Sequence, residues 1–114
     1  MEKYKLRSDV TLQRGFRIPE GITVMQYLKS RSYYPDMLSS NFVMVASIES
    51  EKVSYGFNVI AAIFIEALLN GQSEDDVISG VSALFKQSED KIRSDYHNVF
   101  TSLVEKRIIQ REDE

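Results

Sequence analysis

The chain has 114 residues, 43% of them hydrophobic and 11% aromatic, which suits one domain with a modest core. It contains no cysteine and a single histidine, His97, so disulfides, thiolate zinc sites, iron–sulfur clusters and cysteine nucleophiles are excluded. The net charge is −3 and no long run of lysine and arginine occurs, which argues against a protein that binds nucleic acid.

The sequence also lacks the usual marks of membrane proteins and of enzymes. No stretch reaches the roughly 18 to 20 uncharged apolar residues of a membrane helix, and the charged N-terminus is not followed by the apolar region of a signal peptide. A glycine-rich phosphate loop and a serine nucleophile elbow are both missing. We therefore expect a soluble, cytoplasmic, non-catalytic single domain over residues 1–114, without a metal or an organic cofactor.

The first third of the chain predicts short strands and leaves one segment open. Apolar residues alternate with polar ones on either side of a turn-prone Ser8 and Asp9, which predicts one or two strands formed around Tyr4, Leu6, Val10, Leu12 and Phe16. A turn is expected at residues 19–21. The following segment ITVMQYLK, residues 22–29, suits either a strand or one to two turns of helix. Residues 39–41 predict a loop.

The middle of the chain predicts a β-hairpin that leads directly into a helix. Residues 42–50, FVMVASIES, are rich in β-branched and aromatic residues, as strands are. Residues 49–52 have the polarity and length of a hairpin turn, and VSYGF, residues 53–57, supplies the second strand. Asn58 can then cap a helix, because its side-chain oxygen can accept a hydrogen bond from a free N–H group of the first turn.

Three helices are predicted, at about residues 58–69, 73–86 and 88–106. Asn70 and Gly71 are typical of a helix end, and Ser73 and Ser88 are typical of helix starts. The acidic residues 74–76 suit the first turn of the second helix better than they suit a metal site. The third helix has an apolar stripe at spacings of three and four, formed by Ile92, Tyr96, Val99, Phe100 and Leu103. The final RIIQ, residues 107–110, can add a strand or cover the core.

This order of elements predicts an α+β fold, a winged helix-turn-helix with a small N-terminal antiparallel β-sheet followed by three helices. The blocks KLRSDVTLQ, FNVIAAI and LVEKRII, which begin at residues 5, 57 and 103, resemble successive blocks of the PqqD-like family. Two departures from the family pattern are an inserted segment at about residues 17–41 and Arg107, where glycine is common. The resemblance covers roughly residues 3–12 and 42–110.

The resemblance implies a function as a RiPP recognition element. Such an element is a non-catalytic module that binds the leader of a ribosomally synthesised precursor peptide and presents it to a modifying enzyme, commonly a radical SAM maturase. The leader is expected to add as a strand to the edge of the small sheet, in a groove beside the third helix. No membrane partner and no nucleic-acid partner are expected.

The resemblance also points to candidate peptide-binding residues on two elements. The edge strand would contribute Lys52, Val53, Ser54, Tyr55, Gly56 and Phe57. At about 100° per residue, one flank of the third helix carries Arg93, His97 and Thr101, while Lys91, Asn98 and Ser102 are predicted to point to solvent. That the first flank faces the edge strand is an expectation from the family resemblance.

Simpler interpretations stay open for each of these residues. The alternate apolar residues of the edge strand can be plain core packing, in which case Lys52 and Ser54 on the other face are the ligand contacts. His97 and Arg93 can be solvated surface residues, and Gly56 can mark a close approach or a bulge. Tyr33 and Tyr34 suit either an exposed partner surface or packing over the sheet. Rival functions are a winged-helix DNA-binding protein and a small protein–protein adaptor.

Overall fold

Two antiparallel sheets and four helices make up the computed structural model, which describes residues 3–15, 19–30 and 42–113. In chain order the elements are β1 (Tyr4–Leu6), β2 (Val10–Arg14), α1 (Val24–Lys29), β3 (Met44–Ile48), β4 (Val53–Phe57), α2 (Val59–Leu69), α3 (Glu74–Phe85), α4 (Glu89–Glu105) and β5 (Ile109–Arg111). The predicted α+β fold with N-terminal antiparallel strands followed by helices is confirmed. The predictions for residues 39–41, Phe16, Tyr33 and Tyr34 lie outside the described residues.

The three-stranded sheet has the order β2–β3–β4, so β3 lies in the middle and β4 at one edge. The predicted hairpin is present, with Ile48 opposite Val53 and a turn over residues 49–52. Lys52 closes this turn with a left-handed φ of 56°. Alternate residues of β3 point into the core and are buried, as expected for a strand with one covered face: Met44, Ala46 and Ile48.

The helix starts confirm the predicted caps, and α2 forms the centre of the core. Asn58 accepts a hydrogen bond from the Ala61 N–H at 2.9 Å, and Ser73 and Ser88 cap α3 and α4 in the same manner. Eight of the eleven residues of α2 are buried. The ring of Phe64, on α2, packs edge-on against Tyr96 of α4 with 5.2 Å between centroids. This aromatic contact fixes α4 against the central helix.

The segment at residues 22–29, which suited a strand or a helix, contains the helix α1. Thr23 and Gln26 form a reciprocal capping box at its start, since each side chain accepts a hydrogen bond from the other's backbone N–H. Glu66 of α2 accepts a further hydrogen bond from the Val24 N–H at 2.6 Å and lies 3.5 Å from Arg14 of β2. A contact made 42 residues away in sequence therefore helps to stabilise the helix.

The C-terminal RIIQ segment contains a strand, and a tight helix end leads into it. β5 pairs with β1 in a two-stranded antiparallel sheet, with Ile109 opposite Leu6. After α4 the Ile108 N–H donates to the Leu103 carbonyl at 2.9 Å, and Arg107 has a left-handed φ of 60°. This is the Schellman geometry, in which glycine is favoured because it has no Cβ. Among the described helices, none has the length and apolar character needed to cross a bilayer.

Replacement of Arg107 by glycine is expected to raise the free energy of unfolding by about 0.5 to 1 kcal/mol, because glycine adopts the left-handed conformation without strain. Urea denaturation would measure the change. Gly71 ends α2 with the same hydrogen-bond pattern and a φ of 73°, so Gly71→Ala is the matched control and should lower stability. A less stable Arg107→Gly protein would contradict the prediction.

Candidate functional site

The edge strand β4 has backbone groups that face away from the sheet. Within the described part of the chain, β4 pairs with β3 alone. The Phe57 carbonyl accepts a hydrogen bond from the Val43 N–H at 2.9 Å, so it points towards β3. Because successive residues of an antiparallel strand alternate in direction, Tyr55 also points towards β3, while the N–H and C=O groups of Ser54 and Gly56 point outward. These outward groups can form hydrogen bonds with another strand.

The apolar face of β4 is only partly covered. Its inward side chains lie opposite the fully buried residues of β3, but Val53 retains 37% exposure, and Tyr55 and Phe57 are half-buried. The apolar face of the sheet therefore extends to β4, where the described residues leave part of it exposed to solvent. An apolar surface next to a free strand edge is where a peptide can bury alternate side chains.

One flank of α4 approaches this surface. Lys106, the C-terminal cap of α4, places its Nζ atom 5.3 Å from the centroid of the Tyr55 ring and donates a hydrogen bond to the Ser102 hydroxyl at 2.9 Å. At roughly 100° per residue, the half-buried Val99 lies in the same stripe one turn earlier. We call the surface formed by Val53, Tyr55 and Phe57 of β4 with Val99, Ser102 and Lys106 the edge groove.

The opposite flank of α4 carries two predicted site residues, and both contact α3. Arg93 lies 2.7 Å from Glu74 and 3.1 Å from Asp75, and hydrogen bonds to Asp75 and Glu74 raise the pKa of Arg93. The His97 Nε2 atom lies 3.0 Å from the other carboxylate oxygen of Glu74. The acidic first turn of α3 therefore acts as an anchor for α4, in addition to suiting the positive end of the helix dipole.

A cavity of about 580 Å³ lies beside this second flank. Its lining includes His97, Thr101 and the rings of Tyr4 and Phe100, which pack edge-on at 5.1 Å between centroids. Tyr96 also borders the cavity, and burial, with a smaller effect from the Glu74 carboxylate, raises the pKa of Tyr96. This flank of α4 thus faces α3 and β1.

The Arg93 flank was expected beside the edge strand, but in the structure it faces α3 and β1. Around the helix axis, Arg93, His97 and Thr101 lie roughly 140° to 180° from Lys106, the α4 residue that contacts β4. The physical reason is the burial of Ile92, Tyr96 and Leu103, which fixes the rotation of α4 against the core and leaves Arg93 beside the acids of α3. A role for these three residues in peptide binding stays a prediction, without the juxtaposition on which it was based.

The sequence analysis did not identify the α4 residues that border the edge groove. Ser102 was predicted to point to solvent, yet it is partly buried and binds Lys106 at the edge groove. The helical angles were sufficient to separate the two flanks. The signal that could have oriented them was the charge complementarity between Arg93 and the acidic residues 74–76, which places the Arg93 flank against α3.

Gly56 marks a close approach, one of the two interpretations left open. The ring of Phe42, which precedes β3, lies directly over the Gly56 backbone, and any Cβ at this position would collide with it. Phe42 is itself 67% exposed. Glycine at this position therefore lets an aromatic ring cover the outer face of the edge strand.

Comparison with known proteins gives a fold but no family. No protein-family model matches the chain, and no curated protein is significantly similar to it. A solved structure described as lasso peptide synthetase B1 complexed with the leader peptide matches with a TM-score of 0.67 and 17% sequence identity. The match covers 95% of this chain and 98% of that one. This chain therefore has the same α+β fold as that lasso peptide synthetase B1.

Proposed function

We propose that this protein binds a peptide as an additional strand along β4, and that the peptide is the leader of a ribosomally synthesised precursor. The observation that carries the proposal is the edge of β4, which no second strand among the described residues pairs, beside a partly exposed apolar face. In this proposal the protein is a non-catalytic binding module of the PqqD-like, winged-helix type. A modifying enzyme, of which a radical SAM maturase is one candidate, carries out the chemistry on the bound precursor.

The binding energy would come from two sources on the same strand. The outward backbone groups of Ser54 and Gly56 can hydrogen-bond the main chain of any extended peptide, irrespective of its sequence. Alternate side chains of the added strand would enter the edge groove and bury apolar surface against Tyr55, Phe57 and Val99. The main-chain bonds supply general affinity, and the groove supplies selectivity.

The identity of the peptide as a leader is supported by two independent observations. The sequence blocks around residues 5, 57 and 103 resemble those of leader-binding modules. The protein whose fold matches over nearly the whole chain was solved in complex with a leader peptide. A flexible leader also suits strand addition physically, because an extended segment without structure of its own can satisfy the open edge.

The proposal predicts where amide signals shift when a leader binds. In a titration of the ¹⁵N-labelled protein with a synthetic candidate leader peptide, we expect the largest shifts at Ser54, Gly56 and residues 99–106. Residues 93 and 97 should shift less, because they contact α3. A duplex DNA of similar length is the control ligand. Shifts that miss β4, or tighter binding of the DNA, would contradict the proposal.

A further inference from the structure

Lys106 is a half-buried cation at the edge groove that lacks an acidic partner among residues 3–15, 19–30 and 42–113. Its contacts in this part of the chain are the Ser102 hydroxyl and the face of the Tyr55 ring. Two other partly buried basic residues do have acidic partners, Arg14 with Glu66 and Arg93 with Glu74 and Asp75. An aromatic face attracts a positive charge but does not cancel it.

The two contacts of Lys106 hold its ammonium group in one place. A lysine ammonium has three N–H donors, and the Ser102 hydroxyl accepts from one of them. The remaining donors can serve a ligand that enters the groove beside Tyr55. An apolar ligand group placed there would displace water from the ammonium group without forming a hydrogen bond to it, and this loss of hydration is costly. A carboxylate would instead pair with it, in a site less screened than the open surface.

Strand geometry indicates which residue of a bound peptide reaches Lys106. Residues directly opposite each other on neighbouring strands project their side chains on the same face. The peptide residue opposite Tyr55 would therefore project towards the groove, on the face where the Lys106 ammonium lies 5.3 Å from the Tyr55 ring centroid. Its neighbours two positions away in each direction lie opposite Val53 and Phe57, where the exposed surface is apolar.

We propose that Lys106 selects an acidic side chain on the bound peptide, at the position opposite Tyr55, with an apolar residue two positions before it and another two positions after it. This inference rests on the proposed function and specifies the chemical class of leader that the protein accepts. The motif is apolar, any residue, aspartate or glutamate, any residue, apolar. Lys106 is then a specificity-determining residue, and Ser102 is the residue that positions it.

The test is a selection from a displayed library of random peptides about twelve residues long, enough to span β4 at about 3.3 Å per residue. The baits are the wild-type protein, Lys106→Met, Lys106→Glu and Lys91→Met. Methionine keeps the aliphatic length of lysine without its charge, so Lys106→Met should fold, which a thermal denaturation curve verifies. Lys91→Met makes the same substitution at a solvent-exposed lysine near the other end of α4 and is the matched control.

The wild-type and Lys91→Met proteins should both enrich the acidic motif. Lys106→Met should still enrich alternating apolar residues but lose the acidic preference, and Lys106→Glu should favour lysine or arginine at that position. For the best wild-type peptide we expect Lys106→Met to raise Kd roughly 5- to 30-fold, in the range of a lost charge-assisted hydrogen bond.

The possible failures are distinguishable. The role of Lys106 is overturned if the wild-type protein enriches alternating apolar peptides without an acidic residue, or if Lys106→Met keeps the acidic preference. Either result leaves the proposal of strand addition along β4 unaffected. If the wild-type protein enriches no extended motif at all, the proposed function is contradicted and this inference fails with it.

Discussion

Replacement of Ser54 by proline is expected to weaken peptide binding roughly 10- to 100-fold while the protein stays folded. The Ser54 N–H points away from β3, so proline removes no hydrogen bond within the sheet. It does remove a donor that an added strand needs, and its ring occupies the space of the peptide carbonyl. Isothermal titration calorimetry with the leader, or with the best selected peptide, would measure the loss.

The control for this substitution is Ser54→Ala. The Ser54 hydroxyl lies 2.9 Å from the Ser47 hydroxyl across the sheet, and alanine removes this contact while keeping the backbone N–H. Its affinity for the peptide should stay within about twofold of the wild type, since an exposed hydrogen bond of this kind contributes little net energy. A folded Ser54→Pro protein with wild-type affinity would exclude β4 as the binding edge.

Replacement of Phe64 by alanine is expected to lower the free energy of unfolding by about 3 to 5 kcal/mol, a large part of the roughly 5 to 15 kcal/mol typical of a domain. The Phe64 side chain is fully buried and packs against Tyr96, so its loss leaves a cavity between α2 and α4. Since β4 leads directly into α2, this contact also sets the distance between α4 and the edge strand.

Phe42→Ala is the matched control, because it removes a side chain of the same size from the surface of the protein. Phe42 is mostly exposed and covers Gly56 on the outer face of the sheet, so its truncation should cost less than about 1 kcal/mol. Urea denaturation of the two variants beside the wild type would measure both changes. A loss of stability for Phe64→Ala no larger than that for Phe42→Ala would contradict the prediction.

Most of the fold could be predicted because its signals are local. Asn58, Ser73 and Ser88 each start a helix with their own side-chain oxygen, so the boundaries follow from short stretches of sequence. The hairpin turn is equally local, since four polar residues separate two alternating strands. Residues 22–29 were left open between a strand and a helix, and the spacing of three between Thr23 and Gln26, which form the capping box, was the local signal that was not used.

What could not be predicted depends on distant partners. The short α1 also depends on Glu66, which no local pattern connects to Val24. In the same way, the angles of α4 separate Arg93 from Lys106, but which flank remains beside β4 depends on the placement of α3, and the sequence indicates this only through the charge complementarity of Arg93 with residues 74–76. The candidate site on β4 and α4 stays a prediction, and the α4 residues that border the edge groove were not among the residues predicted from the sequence.

The pairing of β1 with β5 has a consequence for how the chain folds. Tyr4 lies opposite Arg111, so this small sheet joins segments from near the two ends of the sequence. Closing a loop of roughly 100 residues costs on the order of 4 kcal/mol in chain entropy before any contact is gained. The β3–β4 hairpin and the helices close far shorter loops, so they can form first and bring the terminal strands together. The two-stranded sheet is then a late event in folding, and its separation is the step by which the native structure would first begin to open.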